Sequence, residues 1–110
     1  IGGQAGIHQF VRIGKYAMVA ACSAVTQDVP PFIMVHGNRA RCYGLNTVGL
    51  RRHGISEEAV LRLKRAYRLI FLSKLNTSQA LERVAAEVGS CPEVEHLIHF
   101  IKTSSRGIAR

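Results

Sequence analysis

No stretch of this 110-residue chain approaches the roughly 18 consecutive apolar residues that a bilayer-spanning helix needs, which argues against a membrane span. Cysteine is scarce and odd in number. Cys22, Cys42 and Cys91 show no CxxC spacing, so neither a disulfide framework nor a zinc knuckle is indicated, and reduced, mostly buried thiols are expected. Aromatic residues are few, four Phe and three Tyr with no Trp, and they do not interleave with cations as in a groove that stacks nucleic-acid bases. Negative charge is short as well: 7 Asp and Glu against 15 Lys and Arg leave a net charge of +8. Such an excess attracts something acidic, whether nucleic acid, a membrane surface, a phosphorylated small molecule or an acidic carrier protein. An initiator Met and an amino-terminal targeting pattern are also missing, which leads us to expect the tail of a longer, cytoplasmic protein.

What the chain does have is a six-residue beat. Its first thirty residues read as IGGQAG, IHQFVR, IGKYAM, VAACSA and VTQDVP, opening on Ile1, Ile7, Ile13, Val19 and Val25. The fifth places are Ala5, Val11, Ala17, Ser23 and Val29, all small or β-branched. Hexad repeats mark a parallel β-helix in which three flat faces make one turn and the opening aliphatic residue points into a narrow prism. An ordinary meander would instead alternate with period two between irregular turns. Five hexads give fewer than two turns, short of the three or so repeats that bury a continuous core, so upstream coils are expected.

The beat fades at Pro30 and Pro31, with Phe32 to Val35 able to complete a last face, so residues 1–36 are assigned to the coil. Residues 37–55 read as a connector whose four glycines exclude a long helix. Residues 56–110 turn to helical spacing. Ser56 is an expected N-cap followed by Glu57 and Glu58, and Val60, Leu63, Tyr67, Ile70 and Phe71 form one apolar stripe. A second helix is expected from Thr77 as cap, turning Leu81, Val84, Ala85 and Val88 inward and stopping at Gly89. Pro92 suits the first turn of a third, with Val94, Leu97, Ile98 and Ile101 inward and an end at Thr103 to Gly107. These helices are too short to stand alone and must pack as a three-helix domain against each other or the coil. His96 and His99 share a helical face, but two histidines without further ligands do not make a metal site, and none is expected.

The run GIHQFVRIGKYAMVAACSAVTQDVPPF, the pair Gly37 and Asn38, the segment YGLNTVGLRRHGIS and the terminal SSRGIAR together resemble the acyl-carrier-protein: UDP-N-acetylglucosamine O-acyltransferases over essentially the whole chain. The resemblance implies a left-handed parallel β-helix followed by a helical domain, a homotrimer, and the first step of lipid A synthesis. In that reaction a 3-hydroxyacyl group passes from the phosphopantetheine of the carrier to the 3-hydroxyl of UDP-N-acetylglucosamine, with no further cofactor. A hydroxyl is a weak nucleophile and needs a positioned general base. In the family that base is a histidine on an upstream coil, so no catalytic residue is assigned in this chain, and the chain alone is expected to be inactive.

By the same resemblance His8 and Gln9 match the HQF motif that contacts substrate in the cleft between subunits. Asn46 matches a nucleotide contact, and Arg52 a basic residue near the diphosphate, a role that the guanidinium fork suits. His53 stands where members have a second arginine, which would make nucleotide affinity weaken as pH rises, and Val48 stands where some carry a ribose-binding carboxylate. Met18 and Ala21 fall where the family measures acyl length; the methyl of Ala21, glycine in some members, is expected to favour a shorter chain. Arg62, Arg65 and Arg68 form a basic helix face suited to an acidic carrier protein, with Lys64 on a different side. The alternatives are the N-acyltransferase that acts later in the same pathway, against which the GLNxxGL and RGIxR segments speak, and a non-catalytic basic binding module.

Overall fold

The computed structural model describes residues 1–110, and in it the hexads stack as parallel strands. Strand β1 (Gly6–Ile7) pairs with β3 (Ala24–Val25) eighteen residues further on, the length of three hexads. Strand β2 (Met18–Val19) pairs with β4 (Ile33–His36), but here the partners Met18 and Met34 are sixteen residues apart. The same sixteen-residue step joins Ile13 to Val29, so the turn has lost two residues between Val25 and Val29. Val29 therefore sits at an opening position beneath Ile13, not at the fifth position that the unbroken count gives it. The fifth hexad is a tetrad.

The backbone shows why the count survives elsewhere. Gln4, Phe10, Tyr16 and Cys22, the fourth residue of each of the first four hexads, take positive φ of 58°, 68°, 56° and 60°. This left-handed conformation turns a corner every six residues. Phe32, at φ 70°, makes the next such corner sixteen residues after Tyr16, following the shortened turn. Where turns stack, backbones nearly touch: a Cβ on Gly14 would lie 2.2 Å from Pro31 N, so only glycine fits.

Strand β5 (Arg41–Leu45) returns antiparallel along β4, giving a three-stranded sheet in the order β2-β4-β5. The connector thus holds a strand and then a six-residue helix, α1 (Thr47–Arg52), which its four glycines allow because it is short. Helix α2 (Glu57–Tyr67) starts at Ser56, whose Oγ accepts from Ala59 N at 3.1 Å, and runs into a wider π-type turn at Arg68–Leu72. Helix α3 (Thr77–Glu87) is capped by Asn76, one residue before the expected Thr77, in a reciprocal capping box with Gln79. Helix α4 (Pro92–Lys102) begins with Pro92 in its first turn.

The core is continuous from coil to helices: Val19, Val25, Val29 and Val35 from the strands meet Leu50, Val60, Leu63, Ile70, Val84 and Leu97. Two expectations need correction. Ala85 faces solvent because α3 packs through Ala80, Leu81 and Val84 instead, and Cys22 is exposed at its corner while Cys42 and Cys91 are only half-buried. The carboxyl end returns to the coil. Gly107 and Ala109 exchange backbone bonds of 3.0 and 2.8 Å with buried Asp28, whose carboxylate accepts from Arg12 N at 2.8 Å and Ser104 Oγ at 2.7 Å. No helix is long and apolar enough to cross a membrane.

Candidate active-site walls

A cleft of about 310 Å³ opens where the three-stranded sheet meets α1. Its floor is set by register. Met18 and Met34 are direct cross-strand partners and so present their side chains on one face, and Gly44 lies opposite Met34. A Cβ on Gly44 would come within 3.0 Å of Met34 Cε, so glycine gives the thioether room to lie flat. Tyr43 closes the floor, and Asn46, Thr47, Val48, Gly49 and Arg52 form the wall.

Three of the residues singled out from sequence, Met18, Asn46 and Arg52, therefore come together. Asn46 is nearly buried and doubly engaged: its Oδ1 accepts from Gly49 N at 3.1 Å to cap α1, and its Nδ2 donates to Tyr16 O at 3.0 Å. Its position is consequently rigid. Arg51 and Arg52 differ in what they meet. Arg51 pairs with Glu57 at 3.0 Å, whereas Arg52 has no hydrogen-bonded or ionic partner and lines the cleft. The cleft offers one unpaired cation over a mostly apolar floor, an arrangement suited to an amphiphile that carries an anion.

The other singled-out residues lie elsewhere. His53 stacks face to face on Tyr16, ring centroids 3.9 Å apart and 8° between planes, and is not part of the cleft wall. His8 and Gln9 follow β1 and are exposed on a different face of the prism from Met18. Ala21 is exposed beyond β2, beside a close stack in which a Cβ on Gly2 would reach within 2.4 Å of Ala21 N. On α2, Arg62 is half-buried, donates to Ser90 O at 3.1 Å and pairs with Glu58 at 2.9 Å, so its charge is largely met. Arg65 and Arg68 are exposed without ionic partners.

Sequence reasoning missed Met34 and Tyr43, although the two-residue loss before Val29 would have placed Met34 beside Met18. It also missed Arg106. Nη1 of Arg106 lies 3.4 Å from His8 Nδ1, which is also 3.1 Å from the Gln9 carbonyl oxygen. The two neighbours make opposite demands, since the carbonyl requires a proton on Nδ1 and the guanidinium requires a lone pair there. Burial pushes the thiol of Cys42, next to Tyr43, above its ordinary value and so favours its protonated form. Burial also raises Tyr67, with Cys42 adding to the effect.

Comparison with known proteins finds relatives along the whole chain. Residues 28–109 match the family model described as Udp N-acetylglucosamine O-acyltransferase, Domain 2. The acyl-(acyl-carrier-protein)-UDP-N-acetylglucosamine O-acyltransferase of Myxococcus xanthus is 47% identical over 110 residues, which are 100% of this chain and 43% of that protein. Its counterpart in Alkalilimnicola ehrlichii is 48% identical over 110 residues, again 43% of that protein. Among solved structures, the UDP-N-acetylglucosamine acyltransferase from Bacteroides fragilis superposes with a TM-score of 0.95 at 42% identity, covering 98% of this chain and 42% of that one. The homologue from Acinetobacter baumannii gives 0.93 at 41% identity, over 100% of this chain and 43% of its own. The chain thus spans about 43% of the length of these curated relatives. The shared residues run from coil to terminal tail, and the chain belongs to the UDP-N-acetylglucosamine O-acyltransferase family.

Proposed function

We propose that this chain is the carboxyl-terminal part of an enzyme that moves a 3-hydroxyacyl group from acyl carrier protein to the 3-hydroxyl of UDP-N-acetylglucosamine, the first step of lipid A biosynthesis. The observation that carries the reading is the cleft in which Met18, rigid Asn46 and unpaired Arg52 meet, within a chain that matches O-acyltransferases along its whole length. In it Arg52 holds the diphosphate, Asn46 meets the nucleotide, and Met18 bounds the acyl chain, with Ala21 limiting the chain's length from outside the cleft. His53, stacked on Tyr16, acts through the electrostatics of the α1 end.

His8 and Gln9 sit on another face of the prism, so one protomer cannot offer both sets of residues to one substrate. A left-handed coil assembled as a homotrimer would bring the His8 face of one subunit against the Met18 face of the next. The general base is supplied by a histidine outside these residues, and this chain by itself is inactive in a cytoplasmic setting. Arg65 and Arg68 steer the acidic carrier protein to the cleft, while Arg62 holds α2 to the turn before α4.

The test is an assay of the full-length protein with 3-hydroxyacyl carrier protein and UDP-N-acetylglucosamine. Arg52→Ala should raise KM for the nucleotide sugar tenfold or more, on the order of 1.4 kcal/mol, with folding unchanged. Absence of acyl transfer in the wild-type protein would overturn the reading.

A further inference from the structure

The largest cavity of the molecule is not the cleft beside α1. It lies at the hairpin between β4 and β5 and encloses about 620 Å³, within the range of small-molecule sites. Its chemistry differs from that of an acyl pocket. Ala40 is its one hydrophobic lining residue, and Arg39, Arg41 and Arg110 supply its cationic groups, with His36 beside them. No Asp or Glu lines it.

The arginines are not equivalent. Arg110 donates to the carbonyls of Ile70 at 2.7 Å and Leu75 at 3.4 Å, so it contributes charge but few free donors. Arg39 and Arg41 are exposed, with neither a hydrogen bond nor an ion pair. Three arginines elsewhere are paired with acids, Arg51 with Glu57, Arg62 with Glu58 and Arg83 with Glu87, whereas Arg52, Arg65 and Arg68 are not. At the hairpin, two guanidinium forks are left open. His36 and Arg41 are cross-strand partners in the β4–β5 pair, and so share a face.

Gln27 also lines the cavity, whereas His8 lies outside it. The terminal tail spans both places, with Arg106 reaching His8 and the Gly107 backbone passing Gln27, whose Nε2 would lie 3.0 Å from a Cβ there.

We propose that this cleft is an anion site for a diphosphate or phosphodiester group, held by Arg39 and Arg41 with His36 and Gln27 as supporting donors. Phosphate is the favoured class because an open guanidinium fork matches two phosphate oxygens at once, and a polar cavity with three arginines and no Asp or Glu side chain attracts an anion and does not accommodate a hydrocarbon chain. Arg110 adds to the local potential without leaving its carbonyls.

The experiment is titration of the full-length protein with inorganic diphosphate, read by calorimetry and by the Nε resonances of Arg39 and Arg41. Wild-type protein should bind at about millimolar Kd or tighter at low salt, and binding should weaken as salt rises. The double variant Arg39→Gln/Arg41→Gln should bind at least tenfold more weakly. Arg83→Gln, on an exposed helix face, should bind as wild type does. Competition names the source of the phosphate, and either outcome supports the site: displacement by 4′-phosphopantetheine assigns it to the donor arm, and displacement by UDP-N-acetylglucosamine assigns it to the acceptor and overturns the role proposed for Arg52. No binding, or equal binding by the double variant, would overturn it. Since inorganic diphosphate requires no acyl transfer, this test and the assay of the proposed reaction can fail independently.

Discussion

In the coil, Val19 and Val25 open successive hexads and are 0% and 1% exposed. Leu63 and Leu97, from helices with no repeat at all, are equally buried. The comparison shows two ways of making a core. In the coil, burial follows the repeat, because each opening residue points into the prism and is covered by the turn stacked on it. In the helical layer, burial follows from stripes that meet across α2, α3 and α4 and close on themselves.

The sharpest way to test that contrast is to delete the same kind of side chain in each region. Leu97→Ala should cost about 2–5 kcal/mol in denaturant unfolding because it opens a cavity in a closed core. Val25→Ala should cost about 1–2 kcal/mol, since it removes only two methyl groups. A loss at Val25 as large as that at Leu97 would mean that the stacked turns relax no better around a deleted side chain than the helices do.

Backbone contact distinguishes positions within the coil itself. Gly14→Ala places a methyl against Pro31 N and should cost about 1–3 kcal/mol, whereas Gly3→Ala, with nothing within 4 Å, should be nearly neutral. Thermal unfolding of the pair tells whether turn stacking or overall glycine content matters.

At the junction of the two regions, Asn46→Ala should lose about 1–2 kcal/mol, through the α1 cap and the bond to Tyr16 O. Asn46→Asp keeps the cap and loses only the donor, so it should fall between. If Asp is as damaging as Ala, the link to the coil, not the cap, dominates.

The smallest effect is expected at the exposed Arg83 and Glu87 pair. The hydrogen bond from Arg83 holds the Glu87 carboxyl below its ordinary value. A lowered carboxyl stabilises the fold above its unfolded-state pKa, and this contribution fades as pH falls through the folded value. Glu87→Gln should therefore flatten acid unfolding only slightly, because solvent screens the pair.

Much of this was legible beforehand, and the exceptions have physical causes. Periodicity exposed the hexads because each face turns an aliphatic side chain into the prism at the same step, and Ser56, Pro92 and the apolar stripes marked the helices through local chemistry. Strand β5 was missed because RCYGL lacks alternation; it is held by pairing with β4. Asn46 was read as a nucleotide contact from its motif, and its capping role became visible only when Gly49 and Tyr16 were seen around it. Arg62 differs from Arg65 in having Glu58 four residues earlier, and the approach of Ser90 in the fold separates them further.

By itself, then, the amino-acid sequence determined the repeat, the helix starts and the family, because corners, caps and motifs are local and countable. The tertiary structure alone decided which arginines are spent and which are open, that Val29 steps up to an inward position, and that Met18, Asn46 and Arg52 share a cleft. Those outcomes depend on residues far apart in the chain meeting in register, and a two-residue loss in one turn was enough to change the partners.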